Sequence, residues 1–385
     1  QSPYNGKKGY VNTSVPLYYL KWEKATTLNF GLDLGLLNNR VNFLVDYFIR
    51  DIYDKLADQR IPISTGFSSV KINNGTLQNR GIEIEANFKV INTDNIKWNI
   101  GANFTRIRSF VKKLPNNGND KNRIGGQEIW DPSNPTQTMY VGGRQEGERV
   151  GDDLVVGYQD EGVYHNQAEL EADKDRKIQF YAGTIPAANR KPIVGDTRWK
   201  DVNGDGIIDS RDRVVLGRTT PDFIGGFTTD FTYKNINLFV KTDYAVGHLI
   251  NNAVRTRGIS QVQGNMNWTS EIKDTWTPEN PNANIPRYDF TDPRGNHKAG
   301  GEGQYSASSR YWEKGDYLAL REITLSYNLP GAAVNNAFKD IRLFVSGTNL
   351  AYFTKYTGYS PEKGGWDSGR FPLPRSFTFG INATF

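Results

Sequence analysis

Residues 28–36 alternate strictly, with Leu28, Phe30, Leu32, Leu34 and Leu36 on one face and Asn29, Gly31, Asp33 and Gly35 on the other. A period of two is that of an extended strand, whose successive side chains point to opposite sides. After Leu37-Asn38-Asn39-Arg40 the alternation resumes as Val41, Phe43, Val45, Tyr47 and Ile49, opposite Asn42, Asp46 and Arg50. The two runs predict a long hairpin.

The unit recurs. Ile82, Ile84, Ala86, Phe88 and Val90 are followed by Asn92-Thr93-Asp94-Asn95, then by Ile96, Trp98, Ile100, Ala102 and Phe104. Phe223, Gly225, Phe227, Phe231 and Tyr233 precede Lys234-Asn235-Ile236-Asn237, and Leu238, Val240, Tyr244 and Val246 return. A fourth hairpin pairs Ile323, Leu325, Tyr327 and Leu329 with Ile341, Leu343 and Val345 across a connector containing Pro330-Gly331. A last strand runs through Phe377, Phe379, Ile381, Ala383 and Phe385.

These nine strands match the roughly 9–11 residues that a tilted membrane strand needs and exceed the usual ~5–6 of a soluble one. Their connections are lopsided: tight turns at one end, and at the other long loops over 50–80, 112–221, 248–315 and 354–373. Outer-membrane barrels show this asymmetry. The face opposite the apolar stripe carries Glu83, Glu85, Asn87, Lys97, Asn99, Asn103, Asp230, Lys241 and Asp243, which a packed core could not bury unpaired and a wet lumen could hold. The expected fold is therefore all-β, an antiparallel transmembrane β-barrel. The alternative is a large soluble antiparallel sheet with one wet face.

Composition narrows the choice. A mean hydropathy of -0.62 and the lack of any run of 18 apolar residues exclude helical membrane spans, but barrel strands average out as hydrophilic. A net charge of +5 with no long Lys/Arg cluster gives no footprint for nucleic acid. The absence of Cys removes disulfides, thiolate metal sites and cysteine nucleophiles. Gln1 follows no initiator Met or leader pattern, so the chain reads as a piece of a longer protein. With the final strand ending in the periplasm, an odd strand count starts the piece on the outer side. Two more strands hidden in 112–221 would preserve that parity, whereas a weak strand within 5–16 would reverse it.

Asp201-Val202-Asn203-Gly204-Asp205-Gly206-Ile207-Ile208-Asp209-Ser210-Arg211-Asp212 follows the spacing of a calcium loop. Asp201, Asn203, Asp205, Asp209 and Asp212 would supply oxygens, Ile207 its carbonyl, and Gly206 the sharp turn. Asp212 stands where such loops carry Glu, and its shorter arm reaches less easily for bidentate coordination. The bland reading is an Asx-rich turn without an ion.

No catalytic arrangement emerges. His165, His248 and His297 are far apart in sequence and read as surface or loop residues. Asp152-Asp153 and Glu169/Glu171 read as solvated acids, and Gly142-Gly143 and Gly300-Gly301 lack a phosphate-loop lysine. Trp130, Trp268, Trp276, Tyr305 and Trp366 suit stacking on sugar rings or, more simply, packing among loops. Phe377, Phe379, Ile381 and the terminal Phe385 form the apolar row that barrel-assembly machinery would read by strand pairing.

Several segments together resemble the SusC/RagA family, TonB-dependent outer-membrane importers of Bacteroidota. They are Leu20-Lys21-Trp22-Glu23, Ser64-Thr65-Gly66-Phe67-Ser68-Ser69 ahead of Leu77-Gln78-Asn79-Arg80-Gly81-Ile82-Glu83, the 201–212 loop, Trp276-Thr277-Pro278-Glu279-Asn280-Pro281, Ser346-Gly347-Thr348-Asn349-Leu350 and the terminal strand. The resemblance implies the C-terminal portion, about nine to eleven strands, of a 22-stranded barrel whose plug and TonB-contacting parts lie in the missing N-terminal segment. It also implies uptake of glycan or peptide fragments energised by TonB, a SusD-like surface lipoprotein as partner, and a surface in outer-membrane lipid. The competing reading is a soluble, calcium-stabilised glycan-binding β-domain; an enzyme, needing converging acids in a cleft, comes third.

Overall fold

The structure, a computed structural model, describes residues 2–4, 7–9, 15–180, 190–260, 267–289, 292, 294–297, 307–330, 338, 340–362 and 364–384. One nine-stranded sheet dominates it. Its strands are β1 (Lys24–Leu36), β2 (Val41–Arg60), β3 (Ser69–Asn92), β4 (Ile96–Lys113), β5 (Phe223–Tyr233), β6 (Ile236–Val246), β7 (Tyr317–Asn328), β8 (Asp340–Thr354) and β9 (Ser376–Thr384). Each pairs antiparallel with the next in sequence, and β1 and β9 each have one partner among the described residues, so the sheet does not close on itself. Ser2–Tyr4 and Lys7–Gly9 pair with each other and stay outside this sheet. Among the described residues no helix is long and apolar enough to cross a membrane.

Register turns nine separate stripes into one surface. Directly opposed residues of an antiparallel ladder share a face. Leu32, Val45, Ile84 and Phe104 form one row across β1–β4. Trp98, Phe231, Leu238, Leu325, Val345 and Phe379 form another across β4–β9. The opposite face carries rows such as Lys89, Asn99 and Asp230, and Thr324, Ser346 and Thr378. The apolar rows lie open: Phe377, Phe379 and Ile381 are 66%, 79% and 70% exposed. A water-soluble sheet would not present so large a continuous apolar area, whereas lipid is the solvent such a face requires.

The tight connections are short for local reasons. Leu37, Asn38 and Asn39 all take left-handed backbone, which the two asparagines tolerate. The third connector contracts to Lys234-Asn235, because β6 starts at Ile236 and not, as the pattern suggests, at Leu238.

The expected loop over 50–80 is mostly strand. β2 continues to Arg60 and β3 begins at Ser69, leaving 61–68 as the connector. Above the membrane both faces are wet, so the binary pattern lapses while the hydrogen-bond ladder continues. A register shift around Asp54, itself at φ 53, scrambles the alternation further.

The remaining long connections fold. Residues 114–222 contain short strands, among them Leu154–Tyr158 paired with Arg213–Arg218 and Asp160–Val163 paired with Thr197–Trp199, and a helix Gln167–Ala172. None of the described strands here joins the nine-stranded sheet. Tyr158, Ile178, Phe180, Trp199 and Ile208 of this region form a buried cluster with Ala307 of the next long connection. Phe180 packs edge-on to Tyr158 at 4.5 Å and to Trp199 at 5.8 Å between ring centroids. A second cluster of Ile259, Ile285 and Tyr311 lies in 247–316. Leu249–Asn252 pairs antiparallel with Trp312–Lys314 and parallel with Gly365–Asp367, which ties the last two long loops into one sheet.

Candidate functional site

The outer extensions of β2 and β3 and the start of the 114–222 region enclose a cavity of about 1160 Å³. Lys55, Arg60, Lys71, Lys113, Arg123 and Arg144 line it, with Asp58 as the carboxylate of the lining. Some cations are matched: Lys71 pairs with Asp58 at 3.1 Å, Lys55 with Glu23 at 3.7 Å and Arg144 with Asp152 at 2.6 Å. The Arg123 guanidinium lies 3.2 Å over the Tyr140 ring. Arg60 and Lys113 have no acid within ion-pair distance among the described residues. The mouth is thus positive, an electrostatic preference for anionic groups. Sequence reasoning missed it because its cations come from separated segments that the ladder and the folded start of the 114–222 region bring together.

On the polar face, Arg321 bonds Asp243 of β6, Tyr352 of β8 and Glu362 of the last loop. That loop is anchored again at Asp367, which is buried. Asp367 Oδ2 accepts from the Tyr356 hydroxyl at 2.8 Å and from the Tyr359 amide at 3.1 Å, and Oδ1 from the Gly369 amide at 3.0 Å. Burial acts to raise the Asp367 pKa, but these donors outweigh it and hold the carboxyl below its ordinary value.

The 201–212 loop has the backbone its spacing predicts, with Gly204 and Gly206 at φ 76 and 81. Its oxygens are engaged by main-chain donors. Asp201 accepts from the Gly204 and Gly206 amides at 2.7 and 2.8 Å, Asp205 from Ile207 at 2.7 Å, and Asp209 from Arg211 at 2.6 Å. Asn203 accepts from the Asp205 amide at 3.2 Å. Asp212, fully buried, accepts from Val202 at 2.9 Å and Asp209 at 2.8 Å. Burial, helped by the charges of Asp209 and Asp201, pushes the Asp212 carboxyl up to about 6. The donor set is all oxygen, as a hard cation needs. Among the described residues, however, no three carboxylates or imidazoles converge closely enough to hold an ion.

Other sequence expectations change. His165 stays half exposed beside Glu169 at 3.4 Å, but His248 and His297 are buried and not on the surface. His248 Nε2 lies 3.1 Å from the Pro361 carbonyl and His297 Nδ1 3.3 Å from the Tyr311 hydroxyl, so both serve the packing between loops. Asp152 and Asp153 are paired with Arg144 and Arg218 and are not simply solvated. Trp276 donates to the His165 carbonyl at 3.3 Å, and Arg211 stacks on Trp130 at 5.4 Å. Trp268 and Trp366 remain exposed. Tyr305, Gly300-Gly301 and Phe385 lie outside the described residues. Phe377, Phe379 and Ile381 stand on the apolar face of β9, as the alternation requires.

A family model described as "TonB dependent receptor-like, beta-barrel" matches residues 3–144. TonB-dependent receptor P3 of Formosa agariphila is 30% identical over 98% of this chain and 36% of its own length. TonB-dependent receptor SusC of Bacteroides thetaiotaomicron is 27% identical, over 98% of this chain and 34% of its own. A solved structure of the RagAB peptide transporter superposes with a TM-score of 0.65 at 22% identity, covering 94% of this chain and 36% of that one. The chain spans about a third of the length of the relatives it matches.

Proposed function

Because the chain belongs to the TonB-dependent receptors and builds part of their β-barrel in the outer membrane, we propose that it forms the C-terminal wall and outer mouth of an importer of oligomeric nutrients. The single observation that carries this reading is the two-faced meander, predominantly apolar across its belt on one side and rich in polar and charged residues on the other, with its elaborate loops at one end only. A wall with hydrated charges inside suits a passage wide enough for an oligomer. TonB would supply the energy, and a SusD-like lipoprotein would cap the long loops.

The positive mouth favours cargo with carboxylate or sulfate groups, whether glycan or peptide. The 201–212 loop is proposed to hold a structural calcium through Asp201, Asn203, Asp205, Asp209, Asp212 and the Ile207 carbonyl, stiffening the 114–222 region. This requires carboxylates now bound to amides to turn toward the ion.

Uptake of a labelled oligomer by cells carrying the full receptor tests the main reading. Uptake should vanish when TonB is deleted. TonB-independent uptake, or recovery of the chain from the water-soluble fraction without detergent, would overturn it.

A further inference from the structure

We propose that the outward face of β3 and β4, just above the apolar belt, binds the phosphate groups of outer-leaflet lipid through Arg80, Arg106 and Arg108. The inference rests on the membrane placement of the barrel and is independent of what the barrel imports.

Register places these side chains. Arg106 stands opposite Ile82, which stands opposite Tyr47; Arg108 stands opposite Arg80, which stands opposite Ile49. They therefore continue, one and two steps toward the long loops, the rows that begin with Ile84 and Phe104 on the lipid side. A tilted strand climbs about 2.5 Å per residue, so Arg106 lies about 25 Å above Ile96, the height of a barrel's apolar band. Its guanidinium comes at the headgroup level of the outer leaflet. β2 flanks the cluster on one side and β5 on the other, so strands supplied by the rest of a receptor cannot cover it.

The cluster is also short of acid. Asp222 is shared by Arg108 at 3.7 Å and Arg149 at 3.6 Å, and Asp153 by Arg149 at 3.8 Å and Arg218. Arg80 and Arg106 have no carboxylate within ion-pair distance among the described residues; Arg80 lies over the Phe110 ring at 5.0 Å. Nε of Arg106 and of Arg108 is sealed from solvent without a hydrogen-bond acceptor. Burial and the neighbouring Arg218 depress the Arg149 guanidinium, in keeping with crowded positive charge. Nε lies inside the protein, so the terminal guanidinium nitrogens, which are not sealed in this way, are the ones a headgroup can meet, and phosphate fits their planar fork. Basic groups lying in a membrane plane are drawn to anionic headgroups in the same way.

Native mass spectrometry of the full receptor, titrated with a phosphorylated outer-leaflet glycolipid in detergent, tests this. The double variant Arg106→Gln/Arg108→Gln should retain the lipid roughly tenfold less well or worse, while Arg50→Gln on the lumen face should retain it like the wild type. The same glycolipid stripped of phosphate should bind the wild type as weakly as the intact lipid binds the double variant. This arm needs no variant to fold. Inorganic phosphate alone should fail to displace the lipid at equal concentration. Equal retention by the double variant, equal binding of the dephosphorylated lipid, or displacement by free phosphate would overturn the proposal.

Discussion

Ile84 and Trp199 are both large apolar side chains, and the difference between their surroundings explains how the chain is held together. Trp199 is buried by its own protein, 2% exposed, against Phe180 and Tyr158 in a loop region that folds as a soluble domain would. Ile84 sits in a row with Val45 and Phe104 on the apolar face of the sheet, the face turned to lipid. One region carries its core inside; the other uses the bilayer as its second layer and depends on the ladder to hold its shape. A substitution that is harmless in one region should therefore be damaging in the other.

The largest expected effect comes from emptying the loop core. Trp199→Ala should cost about 3–5 kcal/mol and unfold the 114–222 region without detaching the barrel from the membrane. Limited proteolysis of the membrane-bound receptor would show new cuts confined to that region. Cuts spread through β2–β4 would dissolve the distinction between the two regions.

Ile84→Lys should cost about 2–4 kcal/mol, since a charge at mid-belt must leave lipid or distort the bilayer. Glu85→Gln, one residue along but on the wet face, should be close to neutral. Heat-modifiable gel mobility compares them, and equal stability of the two would assign the faces wrongly.

Calcium sharpens the contrast from the other direction. At a concentration a hundred times its Kd it should stabilise the 114–222 region by about 2.7 kcal/mol and leave the barrel transition unmoved. Identical melting in EGTA and in calcium would remove the ion from the account of this loop.

A smaller effect concerns acid. Asp367 has a depressed pKa in the folded protein, so its contribution is present above the ordinary carboxylate range and is lost as pH falls through the folded value. Asp367→Asn should cost about 2 kcal/mol near neutrality and flatten the acid limb of the loop transition. An unchanged acid limb would show that another group sets it.

The two regions also differ in how much of each could be read from sequence. The belt strands were legible because two solvents, lipid and lumen water, write a period of two into residues such as Leu28–Leu36 and Phe377–Ile381. Where both sides are wet, as from Asp51 to Asp58, the backbone stays extended and the letters no longer say so. The loop core was hidden for another reason. Tyr158, Phe180 and Trp199 stand in short unrelated runs, and only the folded chain shows that they meet. His248 and His297 looked like loop residues and are, but burial is a property of what packs on them. The cationic mouth and the outward arginines needed register: Arg80 and Arg108 lie 28 positions apart and become neighbours through a single pairing.

The small sheet joining Leu249–Asn252, Trp312–Lys314 and Gly365–Asp367 bears on what capturing cargo would cost under the proposed function. Two long loops free to wander separately would each lose chain entropy on closing over a ligand, and that loss would be subtracted from affinity. Stitched through a shared strand, they have already surrendered their independence when the chain folds. Under the proposed import such loops would close together as one stiff flap, and Arg321 already bonds the wall through Asp243 and the last loop through Glu362.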